Sequence, residues 1–141
     1  MATTTATITL ASSDMMDSAL SISNTATLYT AGTNTGITET TGLARKKFAS
    51  SSNIILLDHG LTSGVAADVT ADKSAKVYIK NINDRGDGTK YVNILIVARE
   101  IGRLYGGDWM FIPWSGGSGK DIEFTASDTT ETTLEYCVFY E

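Results

Sequence analysis

The stretch from Lys76 to Val97, KVYIKNINDRGDGTKYVNILIV, decides the fold class. Polar and apolar residues alternate over 76–82 and again over 91–97. A period of two places successive side chains on opposite faces of a β-strand. The polar residues between the two runs include Asp87-Gly88, a pair that accommodates the positive φ of tight turns. The stretch therefore predicts a β-hairpin with an exposed loop.

Similar short runs recur along the chain, separated by turn residues. We expect further strands near residues 7–10, 20–23, 54–57, 101–105, 109–114, 121–125 and 133–140. Pro113 has no backbone N–H, so its strand ends there or lies at a sheet edge. Six to nine strands at such spacing are typical of sandwiches, jelly rolls and related barrels. The sequence predicts an all-β protein, a single antiparallel β-sandwich or jelly-roll-like domain with an extended N-terminal strand or arm.

Large side chains are distributed unevenly over the 141 residues, a length that suits one domain. Residues 1–53 consist mostly of Ala, Thr and Ser with a few larger apolar residues, and we assign them to an N-terminal arm and strands. Residues 54–141 carry most of the aromatic side chains and are expected to form a compact core. Residues 31–42 contain several glycines and are interpreted as an exposed loop. An N-terminal part so poor in large residues is expected to be completed by a neighbouring subunit.

The charge and the composition of the chain argue against several functional classes. A net charge of -5 argues against a nucleic-acid partner, which is bound by an excess of Lys and Arg. One cysteine and one histidine cannot form a Cys/His metal site. No apolar run approaches the ~20 residues of a membrane span, and the N-terminus lacks signal-peptide features. We therefore predict no membrane partner, synthesis in a cytoplasm, and no catalytic, cofactor-binding or metal-binding residues.

Two motifs resemble ligand sites but lack required parts. Residues 116–120, GGSGK, resemble a phosphate loop, but Asp121 follows Lys120 where the motif needs Ser or Thr. Asn81, Asn83, Asp84 and Asp87 supply oxygen atoms that could hold calcium, although an EF-hand spacing is absent. A solvated turn is the favoured interpretation of this second cluster.

Two groups of residues are candidates for contacts between proteins. Arg45, Lys46 and Lys47 form the one basic cluster, which either faces water or contacts an acidic partner surface. Four aromatic residues lie close together in the sequence and are assigned to the core or to a subunit interface, with a ligand platform as the alternative. These are Tyr105, Trp109, Phe111 and Trp114.

Several segments resemble small virion structural proteins of tailed bacteriophages, notably those that infect marine cyanobacteria. The segments are IGRLYGGDWMFIPW at 101–114, MATTTATITL at 1–10, TGLARK at 41–46, VYIKN at 77–81 and TLEY at 133–136. The resemblance implies a non-enzymatic virion protein, above all a capsid decoration or cement protein that binds and stabilises the head shell. A tail, neck or fibre-associated structural or adhesion module is the alternative.

This resemblance implies partners as well. They are the major capsid protein or other virion proteins, and further copies of the chain in a homo-oligomer, for which a trimer is expected from shell symmetry. We expect shell contacts at Thr7, Ile8 and Leu10, whose strand could extend a neighbour's sheet, and at the basic cluster of Arg45, Lys46 and Lys47.

Overall fold

A computed structural model of the protein contains eleven β-strands among the residues that it describes. It describes residues 3–14, 19–30, 33–37, 39–49, 52–58, 75–86, 90–115, 119–127 and 131–140, and no helix occurs within these ranges. The strands are β1 (Thr5–Ser12), β2 (Leu20–Thr27), β3 (Glu39–Thr40), β4 (Ala44–Phe48), β5 (Ile54–Leu57), β6 (Ala75–Asn81), β7 (Tyr91–Ile96), β8 (Arg99–Tyr105), β9 (Trp109–Trp114), β10 (Ile122–Ala126) and β11 (Thr132–Tyr140).

The chain divides into two units, Met1–Thr38 and Glu39–Glu141. In the first unit, β1 and β2 pair as an antiparallel ribbon whose register runs without interruption from Thr5↔Thr27 to Ser12↔Leu20. The predicted N-terminal arm and strands thus include a two-stranded ribbon. The strands β3, β4 and β5 belong to the sheets of the second unit, which begins at Glu39.

The second unit consists of two antiparallel sheets. One has five strands in the order β3-β11-β6-β9, with β4 also paired to β11. The other has four strands in the order β5-β10-β7-β8. These open sheets confirm the predicted all-β fold and the β-sandwich, although the strands outnumber the six to nine expected. As predicted from Pro113, β9 is an edge strand.

The inward faces of both sheets form one hydrophobic core. Val77, Ile79, Ile94 and Phe124 are each completely inaccessible to solvent. The ring centroids of Phe124 and Phe48 lie 3.9 Å apart, so an aromatic contact joins β10 to β4 across the two sheets. Alternation in β6, where every second residue from 75 to 81 is buried, puts Lys76, Tyr78 and Lys80 on the outward face.

The predicted hairpin between residues 76 and 97 is wrong in its pairing. Both runs are strands, but β6 pairs with β9 and β11, whereas β7 pairs with β8 and β10 in the other sheet. The local partner of β7 follows a two-residue turn at Val97 and Ala98, whose φ angles are 54° and 55°. Alternation identifies a strand with one buried face, but it does not show which sheet the strand belongs to.

The segment at 31–42 also differs from the exposed loop that was expected. Gly36 and Ile37 are buried, and Gly36 forms an isolated bridge with Tyr29. The Ile37 N–H donates a 3.0 Å hydrogen bond to the Leu28 carbonyl. Residues Glu39–Thr40 form the short strand β3 on the end of β11. Glycine content alone did not predict the burial of Gly36 and Ile37, where hydrogen bonds between backbone groups replace those to water.

A buried asparagine ties the two sheets together. Asn81, only 3% exposed at the end of β6, donates its side-chain N–H to the Leu104 carbonyl of β8 at 3.1 Å. Its side-chain oxygen accepts the Asn83 N–H at 3.1 Å, and its carbonyl accepts the Gly107 N–H at 2.8 Å. Because a buried amide must be hydrogen-bonded, this arrangement holds the crossing points between the sheets in place.

Candidate functional site

The outward face of the five-stranded sheet carries four aromatic side chains. Tyr78 on β6 lies directly opposite Phe111 on β9 and Cys137 on β11. By strand alternation, Trp109 and Phe139 project to the same side as these residues. We call Tyr78, Trp109, Phe111 and Phe139 the aromatic face.

The rings of the aromatic face form two neighbouring pairs. The ring centroids of Tyr78 and Trp109 are 6.4 Å apart, as are those of Phe111 and Phe139. Trp109 is 48% exposed, and the other three side chains are half-buried. Aromatic rings at these separations interact favourably, and this interaction restricts their side-chain conformations. The result is an apolar surface of four rings on the outward face of the five-stranded sheet.

Basic side chains surround this surface. Lys76 and Lys80 flank Tyr78 on β6, and Arg45 and Lys47 project from β4 to the same side of the sheet. We call these four residues the basic rim. Four cations are thus concentrated on one face of a chain whose net charge is -5.

Two carboxylates partly neutralise the basic rim. Glu135 Oε2 lies 2.9 Å from Arg45 Nη2, and Glu131 Oε1 lies 2.6 Å from Lys47 Nζ. Both cations remain largely exposed, so each ion pair contributes little to folding stability. The pairs orient the two cations at the border of the aromatic face, where they can meet a partner.

Burial and a nearby carboxylate both change the pKa of Tyr78. Burial of the phenol raises the pKa of Tyr78, and the negative charge of Glu135 raises it further. Tyr136, on the opposite side of β11 in the core, also has a raised pKa because of burial. Both phenols therefore stay neutral to a higher pH than exposed tyrosines do.

We expect the late ionisation of Tyr78 and Tyr136 to be visible in an alkaline titration followed by tyrosinate absorbance. Since the folded state favours the neutral phenols, their contribution to stability is complete below the ordinary tyrosine pKa of about 10 and is lost as the pH rises through the folded-state values. Tyr78→Phe and Tyr136→Phe should each remove one late-ionising phenol, and Glu135→Gln should make Tyr78 ionise earlier. A late phase that persists unchanged in both phenylalanine variants would contradict the assignment.

The predicted basic cluster is divided between the two sides of β4. Arg45 and Lys47 point outward, whereas Lys46 lies opposite Leu134 and its Nζ donates a 2.7 Å hydrogen bond to the Ile55 carbonyl. Lys46 therefore links β4 to β5 at the sandwich edge and does not contribute to the basic rim. A strand separates three consecutive side chains in this way because they alternate in direction.

The four aromatic residues at 105–114 lie in three different places. Trp114 is buried in the core and donates its indole N–H to the Lys120 carbonyl at 2.7 Å. Trp109 and Phe111 belong to the aromatic face. Tyr105 lies on the four-stranded sheet, packed edge-on to Tyr91 at 5.6 Å.

The predicted contacts in the N-terminal part lie on the ribbon. Thr7 is on one side, where its hydroxyl is 2.9 Å from that of Thr25. Ile8 and Leu10 are on the other side and are exposed. The ribbon thus has a hydroxyl side and an apolar side.

The oxygen-rich residues at 81–84 have structural roles. The Asn83 side-chain oxygen accepts the Thr133 N–H at 3.2 Å, and Asp84 Oδ1 accepts the Gly86 N–H at 3.2 Å. They line a small polar hollow together with Lys90 and Tyr91. Asp87, the fourth residue of the predicted cluster, lies outside the described residues, as does His59. Among the described side chains, no three of His, Cys, Asp or Glu come together to hold a metal ion.

The amino-acid sequence was compared with protein-family models and with curated proteins. No protein-family model matches the chain, and no curated protein is significantly similar to it. Within the described ranges there is also no long apolar helix of the kind that crosses a bilayer. The functional reasoning therefore depends on the surfaces themselves.

Sequence reasoning missed Lys76, Tyr78, Lys80 and Phe139 as members of a surface. The signal was present in β6, whose outward positions hold two lysines around a tyrosine. What the sequence lacked was the strand order, because β6 lies between β9 and β11 and is the strand that joins the aromatic residues into one face.

Proposed function

We propose that the protein is a non-enzymatic structural protein of a tailed-phage virion, a capsid decoration or cement protein that binds the head shell. The observation that supports this most is the aromatic face with its basic rim. The likeness of segments such as IGRLYGGDWMFIPW to small virion proteins supplies the biological setting.

The aromatic face has the composition of a protein-binding surface. Interfaces between proteins are enriched in Trp, Tyr, Phe and Arg at their centre and are bordered by polar or charged residues. Here Tyr78, Phe111 and Trp109 occupy the centre, and Lys76 and Lys80 lie beside them. Since the rings already pack against one another in the free protein, little side-chain freedom is lost on binding.

Charge selects an acidic partner surface. Arg45, Lys47, Lys76 and Lys80 place four cations around the aromatic face, and Arg45 and Lys47 among them pair with Glu135 and Glu131. Such a face is attracted to an acidic surface, and it favours encounter with that surface over encounter with basic ones. We propose that the shell presents an apolar patch bordered by Asp and Glu to this face.

Binding of this kind stabilises the shell without chemistry. A protein that binds the assembled shell and not its separated subunits shifts the equilibrium towards the assembled state. The sandwich carries the aromatic face on one of its sheets, and the backbone pairing of β6 with β9 and β11 holds the residues of that face in register. Reinforcement of the head is then a direct consequence of buried area.

Binding to purified heads of the encoding phage tests the proposal. We expect the full chain to co-sediment with heads, and we expect Trp109→Ala or the double variant Lys76→Glu/Lys80→Glu to weaken binding by about 10- to 100-fold. Added salt should weaken binding of the unmodified chain but not that of the charge variant, because the two glutamates replace attraction to an acidic surface by repulsion, which salt screens.

Matched variants outside the five-stranded sheet serve as controls, with Ile101 and Arg99 on β8 and Lys120 between β9 and β10. Ile101 is 46% exposed on β8, so Ile101→Ala removes a similar kind of surface side chain. Arg99→Glu/Lys120→Glu changes the net charge by the same amount as the rim variant. Both controls should bind heads like the unmodified chain. Binding to tails and not to heads would instead favour the tail, neck or fibre role, and equal binding by all variants would refute the aromatic face as the contact.

A further inference from the structure

The ribbon of β1 and β2 has two chemically different sides. By alternation and register, Ile8, Leu10, Leu20 and Ile22 project to one side, with Leu10 directly opposite Ile22. We call this the apolar side of the ribbon. The other side carries threonine and serine, including the Thr7–Thr25 and Thr9–Ser23 hydroxyl contacts at 2.9 and 3.4 Å.

The apolar side is open to solvent. Leu10 is 52% exposed, Ile22 48%, Leu20 39% and Ile8 36%. A two-stranded ribbon is marginally stable in water unless its apolar side is covered. Contiguous exposed apolar side chains of this kind mark an interaction surface.

Both strands of the ribbon lack the features that prevent sheets from associating. Proteins protect exposed sheets and edges with lysine, proline or β-bulges. The eight residues of β1 and the eight of β2 include no charged residue and no proline. Their pairing contains no register shift either. Such a ribbon is suited to be covered in an assembly.

We propose that the apolar side of the ribbon docks against the same side of the ribbon of a second copy of this chain. Two copies with net charge -5 repel each other, so a contact between them forms best through surfaces that bring no like charges together, and the strands of the ribbon carry no charge. The aromatic face is less suited to this purpose, because the same four cations would come together from both copies. Charge therefore assigns the ribbon to self-association and the aromatic face to a different, acidic partner.

The residue pattern on the apolar side is self-complementary. Ile8, Leu10, Ile22 and Leu20 form a diagonal across the ribbon, because Ile8 is opposite Asn24 and Leu20 is opposite Ser12. The spacings of residues and strands set this diagonal at about 20° to the strands. Two ribbons stacked with their diagonals aligned cross at about 40°, similar in size to the ~30° of aligned sheet packing. Each apolar side chain then meets an apolar side chain of the other copy.

The area of the ribbon limits the strength of this contact. Eight residue pairs span a face of roughly 250 Å² per copy, or about 500 Å² in total. This is well below the ~1,200 Å² of stable interfaces, so two free molecules should associate weakly, at about 0.1–1 mM. On a surface that holds many copies side by side, the effective concentration is high enough for the contact to form.

Sedimentation velocity of the full chain over this concentration range tests the proposal. We expect the weight-average mass to rise from 15.0 kDa towards twice that value. Ile22→Lys should keep the mass at 15.0 kDa, because it places a charge in the centre of the contact. Its neighbour Ser21 projects to the hydroxyl side, so Ser21→Lys adds the same charge on the same strand and should associate like the unmodified chain.

Crosslinking gives a second measurement that does not depend on the ribbon tolerating a lysine. A short bismaleimide should link Leu10→Cys into dimers and should not link Ser21→Cys, while the native Cys137 is buried. A chain that stays monomeric at 1 mM, or equal dimerisation of Ile22→Lys and Ser21→Lys, would overturn the proposal. Self-association is measured without phage heads, so its failure is distinguishable from a failure of head binding.

Discussion

Replacement of Phe124 by alanine lowers the free energy of unfolding by about 3–5 kcal/mol. The Phe124 side chain has no solvent exposure, and its ring centroid is 3.9 Å from that of Phe48. It projects from β10, which is paired on both sides by β5 and β7, so the surrounding backbone cannot collapse into the space left behind. The loss is a large part of the 5–15 kcal/mol that stabilises a typical domain.

Urea denaturation followed by tryptophan fluorescence measures this effect, because Trp114 is buried in the same core. Trp109→Ala is the matched control: it removes a larger aromatic side chain that is 48% exposed, and it keeps Trp114 as the reporter. We expect that variant to lose less than about 1 kcal/mol. A Phe124→Ala protein within 1 kcal/mol of the unmodified chain would mean that the two sheets do not pack as described.

The second large effect concerns Gly106, where two parts of the chain come very close. A Cβ atom added at this position would lie 2.6 Å from the Asp84 carbonyl oxygen and 2.7 Å from that of Asn83. Both are backbone atoms held by the hydrogen bonds around Asn81, so they cannot move aside as a flexible side chain would. Gly106→Ala should therefore lower the free energy of unfolding by about 1–3 kcal/mol.

Gly102 provides the control for this substitution. It lies on β8, four residues before Gly106, and an added Cβ would meet no atom within 4 Å. Gly102→Ala should leave stability unchanged or raise it by about 0.4–1 kcal/mol, because alanine restricts the unfolded chain more than glycine does. Equal urea midpoints for the two alanine variants would contradict the close approach at Gly106.

The sequence was sufficient to predict all the described strands except β3 and β4, but not their partners. Period-two alternation located β6, β7, β10 and β11, because a strand with one buried face repeats its apolar residues at every second position. It could not show that β6 and β7 lie in different sheets, since that depends on contacts between distant residues. The turn at Val97 and Ala98 was missed because neither residue is typical of positive φ.

The candidate surfaces were only partly predictable for the same reason. Trp109 and Phe111 could be identified as aromatic residues near one another, but their separation from Trp114 follows from which face of β9 meets the core. The sequence likewise grouped Lys46 with Arg45 and Lys47, whereas alternation along β4 places it on the other side. Strand order, and not local sequence, brings Tyr78 and Phe139 to the aromatic face.

The position of β11 in the five-stranded sheet determines when the protein can fold during its synthesis. This strand is the last of the eleven to be made, yet it pairs with β3, β4 and β6. A nascent chain that has not reached Thr132 leaves β4 and β6 with unsatisfied backbone edges on the ribosome. Closing such long loops is slow, so the sandwich forms late and as a unit once residues 132–140 emerge. Until then, exposed strand edges make the growing chain a substrate for chaperones.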